Sequence, residues 1–410
     1  MTQNINHSQK LDQCLITGQP VINVLDFGQH AYADTFIAED QLNLSEPVFP
    51  LQINLNPDSG HLQLAYVSRA EERYNLYSYS YTSSNSATAK THWKEYANEI
   101  KRKYKPDGVV VEIGCNDGYL ISQFKEPGIT SIGVDSSEVM CGITESLGIT
   151  CIQTLFNGNT ADMICNLYGP AQVVMANNVF NHANDPVAFA TAISKVLRED
   201  GVFVFEVPYW LSMVESGRFV DMVYHEHVSY FTIKSAWNLL KAAGLEIIDF
   251  DIVDYHGGSL RVVAQKNRGS EMPNNIEVAI IKEKVAGLFT IELYEELQSK
   301  FVRQRDAWLA DFYQLRYSDP TAVFIGVGAA AKANTWLSWH GLNKTHLHCI
   351  TDASEYKQGK YTPLSRIPIL GDEEFAQHKT PYALILSWNI SKGLKQALLK
   401  INPNTRFINQ

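Results

Sequence analysis

Long hydrophobic runs are missing from this 410-residue chain. No stretch approaches the roughly 20 apolar residues that a membrane-spanning helix needs. There is no excess of basic charge either: 34 Lys and Arg stand against 44 Asp and Glu, a formal net charge of −10. General nucleic-acid binding and docking on anionic membranes want basic patches, so both are disfavoured; one local phosphate site is still compatible. The six cysteines, at 14, 115, 141, 151, 165 and 349, form no Cys-x-x-Cys pair and no small-scaffold spacing. Reduced thiols are therefore expected. The opening Met1-Thr2-Gln3-Asn4 is polar and has no apolar signal core, which predicts a cytoplasmic protein. Repeats, low-complexity tracts and heptads are absent, and nothing announces an oligomeric state.

What is present is a globular composition, 45% hydrophobic and 19% charged, too long for one ordinary core. Residues 1–85 carry short β-like runs separated by turn residues, such as Asn56-Pro57-Asp58-Ser59-Gly60. They predict a small β-rich domain, ending in a run of tyrosine and hydroxyl residues that includes Tyr81 and Ser84. Residues 86–270 alternate apolar strands, at 109–113, 131–134, 172–176, 202–206, 245–250 and 260–264, with helical stretches. That alternation predicts a mostly parallel sheet covered on both faces, with ligands outside the carboxyl ends of its strands. Residues 271–410 predict one or two connecting helices and a second Rossmann-like α/β unit. The expected class is thus α/β with a β-rich N-terminal subdomain.

Two glycine turns follow strands. The first, Glu112-Ile113-Gly114-Cys115-Asn116-Asp117-Gly118, fails the dinucleotide pattern Gly-x-Gly-x-x-Gly, because Asn116 and Tyr119 occupy the second and third glycine positions. An acidic residue followed by Gly-x-x-x-Gly suits S-adenosylmethionine, whose ammonium and sulfonium welcome carboxylates. Asp135 ends the next strand, where a carboxylate can accept from ribose hydroxyls, and Asn177 follows the apolar run 172–176 as a further donor-side candidate. The second turn, Gly326-Val327-Gly328-Ala329-Ala330-Ala331, does fit Gly-x-G-x-x-Ala and is followed by Asp352. Taken alone it reads as a nicotinamide or flavin site, with Lys332 and Asn334 near a helix start suited to a phosphate or sugar.

The densest proton-moving cluster is Tyr224-His225-Glu226-His227-Val228-Ser229-Tyr230. Such clusters can also be capped turns or hydrogen-bond hubs.

With these strings in hand, the chain resembles the sugar C-methyltransferases, which methylate nucleotide-linked keto-deoxysugars using S-adenosylmethionine. The resemblance rests on the first glycine turn, Asn178-Val179-Phe180-Asn181-His182, Tyr224-His225-Glu226-His227, His256-Gly257-Gly258-Ser259-Leu260-Arg261 and Gly328-Ala329-Ala330-Ala331-Lys332-Ala333-Asn334-Thr335. It implies a zinc-ribbon-like N-terminal domain, a central class I methyltransferase domain and a C-terminal Rossmann-like domain that helps enclose the substrate. It also implies His227 as the base, with Tyr224 and Glu226 beside it. Asn178 and His182 are implied near the substrate or its enolate oxygen. Tyr81, Ser84, His256, Arg261, Lys332 and Asn334 are expected on the substrate side. One departure is sharp: of the four zinc positions only Cys14 keeps a cysteine, the others being Thr17, Asn56 and Ser59. A structural zinc needs four N or S ligands, so no metal is expected there. The loss leaves room for another small-molecule acceptor attacked at N, O or C, and the second glycine turn for an NAD-dependent oxidoreductase.

Overall fold

The computed structural model describes residues 8–70, 73, 82–84, 86–217, 220–255 and 257–408. Tyr81 and His256 lie outside the described residues.

Alternating Leu51, Ile53, Leu55, Leu62 and Leu64 are fully buried and line one face of an antiparallel sheet. Its strands are β1 (Ile22–His30), β2 (Phe49–Asn56) and β3 (His61–Leu64). The Asn56–Gly60 turn joins the last two, with the Gly60 N–H donating to the Asn56 carbonyl at 2.9 Å.

The central sheet uses β4 (Val109–Ile113), β5 (Thr130–Asp135), β6 (Thr150–Gln153), β7 (Ala171–Met175) and β8 (Leu197–Pro208). A short strand β9 (Ser229–Tyr230) then leaves this domain and pairs with β3, Ser229 opposite Gln63 and Tyr230 opposite Leu62. It completes the N-terminal sheet from far down the chain. The central sheet closes with β10 (Leu245–Val253) and β11 (Ser259–Lys266). Its order is β6-β5-β4-β7-β8-β11-β10, parallel except for β11, which runs antiparallel between its neighbours. Strand order reverses between β4 and β7, so the ligand crevice opens at their carboxyl ends. The sequence pattern missed β6: its Thr-Cys-Ile-Gln has no fully buried residue and too little apolar signal.

Helices Asn274–Val285 and Ile291–Ser318 form the expected connector. Glu283 anchors it to the central domain. Its buried carboxylate accepts from the Tyr209 hydroxyl at 2.9 Å and from the Ile233 and Lys234 N–H groups, capping helix Ile233–Ala242. Burial pushes that carboxyl up to about 7 despite these donors. The last sheet is parallel, built from β12 (Phe324–Val327), β13 (Cys349–Thr351), β14 (Ile369–Leu370), β15 (Tyr382–Ile385) and β16 (Arg406–Ile408), in the order β14-β13-β12-β15-β16.

One expectation fails. Cys141 and Cys151 form a disulfide, so the thiols are not all reduced. Helix Glu138–Ser146 packs back onto β6, the strand that follows it, and brings the two Cα atoms to 5.4 Å. Cys14, Cys115, Cys165 and Cys349 are free.

Candidate active site

The first glycine turn sits at the carboxyl end of β4, as the topology requires of a ligand site. Gly114 has φ +66°, and a Cβ there would lie 2.2 Å from Val179 Cγ2. Gly118 has φ +72°, and its Cβ would meet Thr144 Oγ1 at 2.6 Å. Both positions therefore exclude side chains by conformation and by space. Glu112 is buried in β4; it accepts from the Ile121 N–H, while its Oε2 has no partner within the protein. Burial, reinforced by Asp117 and Asp135, drives its carboxyl well above the usual range.

Asp135, at the end of β5, holds the turn: its carboxylate accepts from the Asn116 N–H and the Ser137 N–H, both at 2.9 Å. Asn116 and Asp117 reach outward to the segment before helix Ala87–Tyr104. Asn116 Oδ1 accepts from the Ser83 N–H at 2.8 Å, and Asp117 accepts from the Ser83 hydroxyl at 2.7 Å and the Ser84 N–H at 2.9 Å. Ser84, read as substrate-side, is thus fastened to the glycine turn. Asn177 lies at the carboxyl end of β7 beside the Tyr96 hydroxyl. Asn178 takes φ +52°, with its N–H donating to the Glu206 carbonyl at 2.7 Å. Asn181, which the sequence reading did not single out, is buried with neither amide atom partnered within the protein.

The histidine stretch lies between this crevice and the N-terminal sheet, because β9 directly after it is woven into that sheet. The three rings of Tyr224, His227 and His182 come together, His227 4.0 Å from Tyr224 and 5.2 Å from His182 between centroids. His227 Nδ1 is 3.0 Å from the Met222 carbonyl; its N–H donates to that oxygen, which leaves Nε2 with a lone pair. Burial pushes the His227 imidazole down to about 4. Burial likewise lowers His182 well below its usual value, with His227 and Arg73 adding to it. His225 points away and packs edge-on against Phe49, 5.2 Å between centroids, in the N-terminal core. Glu226 is buried, with Oε2 unpartnered within the protein. Burial and the Asp34 carboxylate push Glu226 up to about 7, against the opposing pull of Arg73.

Arg73 and Asp34 were missed by sequence reasoning. Arg73 donates to the Ser68 carbonyl at 2.8 Å and to the His182 carbonyl at 3.1 Å, and binds Asn184 Oδ1. It ties the N-terminal segment to the loop after β7. No local pattern marks a lone arginine for that task.

Arg261 does not match its expectation. Its Nε and Nη2 donate to Glu206 at 3.1 and 3.0 Å, and Nη1 donates to Glu99 at 2.8 Å. Glu206 and Arg261 stand directly opposite on β8 and β11, so the sheet register makes a buried ion pair rather than a cation open to the substrate. Asn334 donates to the Ala33 carbonyl, joining the C-terminal domain to the N-terminal one, and keeps Oδ1 without a partner within the protein. Lys332 lies 4.8 Å over the Trp388 ring. That ring reaches the central domain, since a Cβ on Gly257 would sit 2.9 Å from Trp388 Cη2.

The second glycine turn is held by the chain's own groups, as the first is. Asp352 accepts from the Ala329 N–H at 2.8 Å, and Lys357 donates to the Ala329 carbonyl at 2.8 Å. A Cβ on Gly328 would lie 2.1 Å from Ser387 Oγ.

Three protein families match in order along the chain: a zinc binding domain over residues 14–74, a methyltransferase domain over 88–249 and the C-methyltransferase C-terminal domain over 254–409. The C-methyltransferase NovU of Streptomyces niveus is 28% identical over 383 residues, covering 92% of this chain and 90% of NovU. These matches show a methyltransferase whose C-terminal part is similar to that of C-methyltransferases. The ubiquinone biosynthesis O-methyltransferase of Burkholderia thailandensis is 21% identical over 168 residues, 37% of this chain and 70% of that protein. Among solved structures, the magnesium protoporphyrin IX methyltransferase of Synechocystis with bound SAH overlaps 43% of this chain and 83% of its own at TM-score 0.35 and 14% identity. The PH0226 protein of Pyrococcus horikoshii overlaps 48% and 99% at TM-score 0.37 and 13% identity.

The methyltransferase is S-adenosylmethionine-dependent, and its residues fit that donor. Two glycines bar a Cβ from the turn at the switch point, and Glu112 Oε2 waits there without a protein partner. Buried polar groups are normally paired, so this orphan points to a ligand. The zinc positions do not fit a metal. Cys14 Sγ lies 3.4 Å from Ser59 Oγ, Ser59 donates to Asn56 Oδ1 at 2.8 Å, and Asn56 donates to the Pro20 carbonyl at 3.0 Å. A hydrogen-bonded knot with one thiol stands in place of four ligands. His61 turns away, with Nε2 3.3 Å from Ser229 Oγ, and burial pushes it down to about 3. Among the described residues no helix is long and apolar enough to cross a membrane.

Proposed function

We propose that this methyltransferase transfers a methyl group to a carbon beside a ketone of a nucleotide-linked deoxysugar, through base-catalysed enolate formation. The observation that carries this reading is His227: Nδ1 is engaged by the Met222 carbonyl, Nε2 is left as a base, and the neighbours are Tyr224 and His182. The low proton affinity that burial imposes keeps the imidazole neutral at pH 7. S-adenosylmethionine supplies a methyl carbon made electrophilic by its sulfonium. His227 Nε2 takes the proton from the carbon next to the ketone, and the bonding pair moves into an enolate. The enolate carbon then bonds to the methyl as the methyl–sulfur bond breaks, so no metal is called for. Tyr224, His182 and Asn178 are the groups we assign to the enolate oxygen and the sugar. Glu226, whose Oε2 has no partner within the protein, is the group we assign to a sugar hydroxyl.

A second reading keeps the donor and changes the acceptor. It is favoured by the loss of the cysteine ligands in the N-terminal subdomain, which reaches the site through Arg73. Incubation with labelled methyl donor and a panel of nucleotide-linked keto-deoxysugars separates the two. We expect label on a carbon next to the ketone, located by NMR; label on nitrogen or oxygen, or on none of the panel, sinks the first reading.

The two buried groups give opposite pH signatures. With its pKa near 4, His227 stays a base down to about pH 5, so it sets no acid limb near neutrality. Glu226 titrates near 7 and gains its charge as pH rises through that value. We expect kcat/KM to climb across pH 6–8 and the inflection to vanish in Glu226→Gln. An unchanged inflection in that variant would assign it elsewhere.

A further inference from the structure

Outside the methyl-transfer site, His348, Glu374 and His378 meet at the amino edge of the C-terminal sheet. We propose that they form a metal site for a divalent ion of zinc's class, serving as a structural clip. His348 Nε2 lies 3.0 Å from Glu374 Oε1, and His378 Nε2 lies 3.1 Å from the same oxygen. The three potential ligand atoms all fall within 4.8 Å of one another. Two ligands of a tetrahedral zinc sit about 3.4 Å apart at normal bond lengths, so the nitrogen–oxygen pairs need to open by only a few tenths of an ångström. The two imidazole nitrogens must draw together, and the His348 side chain, 47% exposed, is free to swing. Two imidazoles and one carboxylate are a zinc donor set, with water able to complete the tetrahedron. On binding, each Nε2 offers its lone pair and its ring proton resides on Nδ1.

The backbone around the cluster is already set. The His348 N–H donates to the Phe324 carbonyl at 2.8 Å, fixing it at the start of β12 and β13. Buried Asn402 donates to the Phe375 carbonyl at 2.9 Å and the His378 carbonyl at 2.7 Å, which fixes the turn carrying Glu374 and His378. Glu374 and His378 are four residues apart, one turn of helix, but His348 is 26 residues before Glu374, so no short motif announces the set. Asp352 and the Gly328 turn lie at the opposite, carboxyl ends of β13 and β12. An ion on the amino edge would staple the segment before β15 to the start of β13 without touching the methyl-transfer groups.

The test is a zinc titration of the chelator-stripped full-length chain, with a competing chromophoric chelator and thermal unfolding as readouts. We expect one ion per chain and a zinc-dependent rise in Tm. Both should be lost in His348→Ala, an exposed position whose metal-free Tm should match that of the unaltered chain. Glu374→Gln should lose them too, and Cys14→Ala should retain them. No zinc-dependent shift in the unaltered chain, or a shift that survives His348→Ala, overturns the proposal. Loss of binding in Cys14→Ala with retention in His348→Ala would move the ion to the N-terminal domain and equally overturn it.

Discussion

Replacing His227 by alanine is expected to lower turnover by about 10²- to 10⁴-fold, the usual contribution of a placed general base. Donor binding should stay within about twofold by calorimetry, because His227 contacts Tyr224 and His182 rather than the glycine turn. Retained donor affinity also reports that the variant has folded. The neighbouring histidine provides the control. His225 packs against Phe49 and Tyr32 in the N-terminal core, and burial pushes its imidazole down to about 3. His225→Leu, close in volume and suited to the Phe49 and Tyr32 rings, should keep turnover. Turnover that survives in His227→Ala and collapses in His225→Leu would reverse the assignment.

The second large effect is expected at Gly114. An alanine there must hold φ +66° and place a Cβ 2.2 Å from Val179 Cγ2. The left-handed backbone costs a non-glycine residue about 1–3 kcal/mol, and overpacking of this kind about 1–3 kcal/mol more. Gly114→Ala should therefore unfold at distinctly lower denaturant and bind S-adenosylmethionine at least about tenfold more weakly. Adding Val179→Ala removes the steric part but not the backbone part, so the double variant should recover only partly. Full recovery would mean that space alone matters at this position. A single variant with unaltered stability and donor affinity would mean that the turn does not present its backbone to the donor.

Much of the central domain was legible because its signals are local. Apolar runs of strand length, glycines at the turn and Asp135 at the end of the next strand lie within a few dozen residues of one another. Each reflects backbone conformation or short-range periodicity, which a sequence carries directly. Thr150–Gln153 escaped because an edge strand with no fully buried residue leaves little apolar trace. The second glycine turn shows the limit of such signals: its pattern records backbone shape, which it shares with dinucleotide sites. It does not record that Asp352, Lys357 and Ser387 would pack around it.

The sequence by itself determined the order of the three segments, the first glycine turn with its carboxylates, and the presence of a tyrosine, a glutamate and two histidines in one short stretch. Only the tertiary structure decided what each of those groups faces. Weaving Ser229–Tyr230 into the N-terminal sheet sends His225 into a core of Phe49 and Tyr32 and leaves His227 facing Tyr224 and His182. Register on β8 and β11 gives Arg261 to Glu206, and a helix packing back on a strand joins Cys141 to Cys151. The physical reason is common to all three. A side chain's charge, proton affinity and reactivity depend on the partners and the burial that packing supplies, and those partners come from positions whose separation in sequence has no local signature.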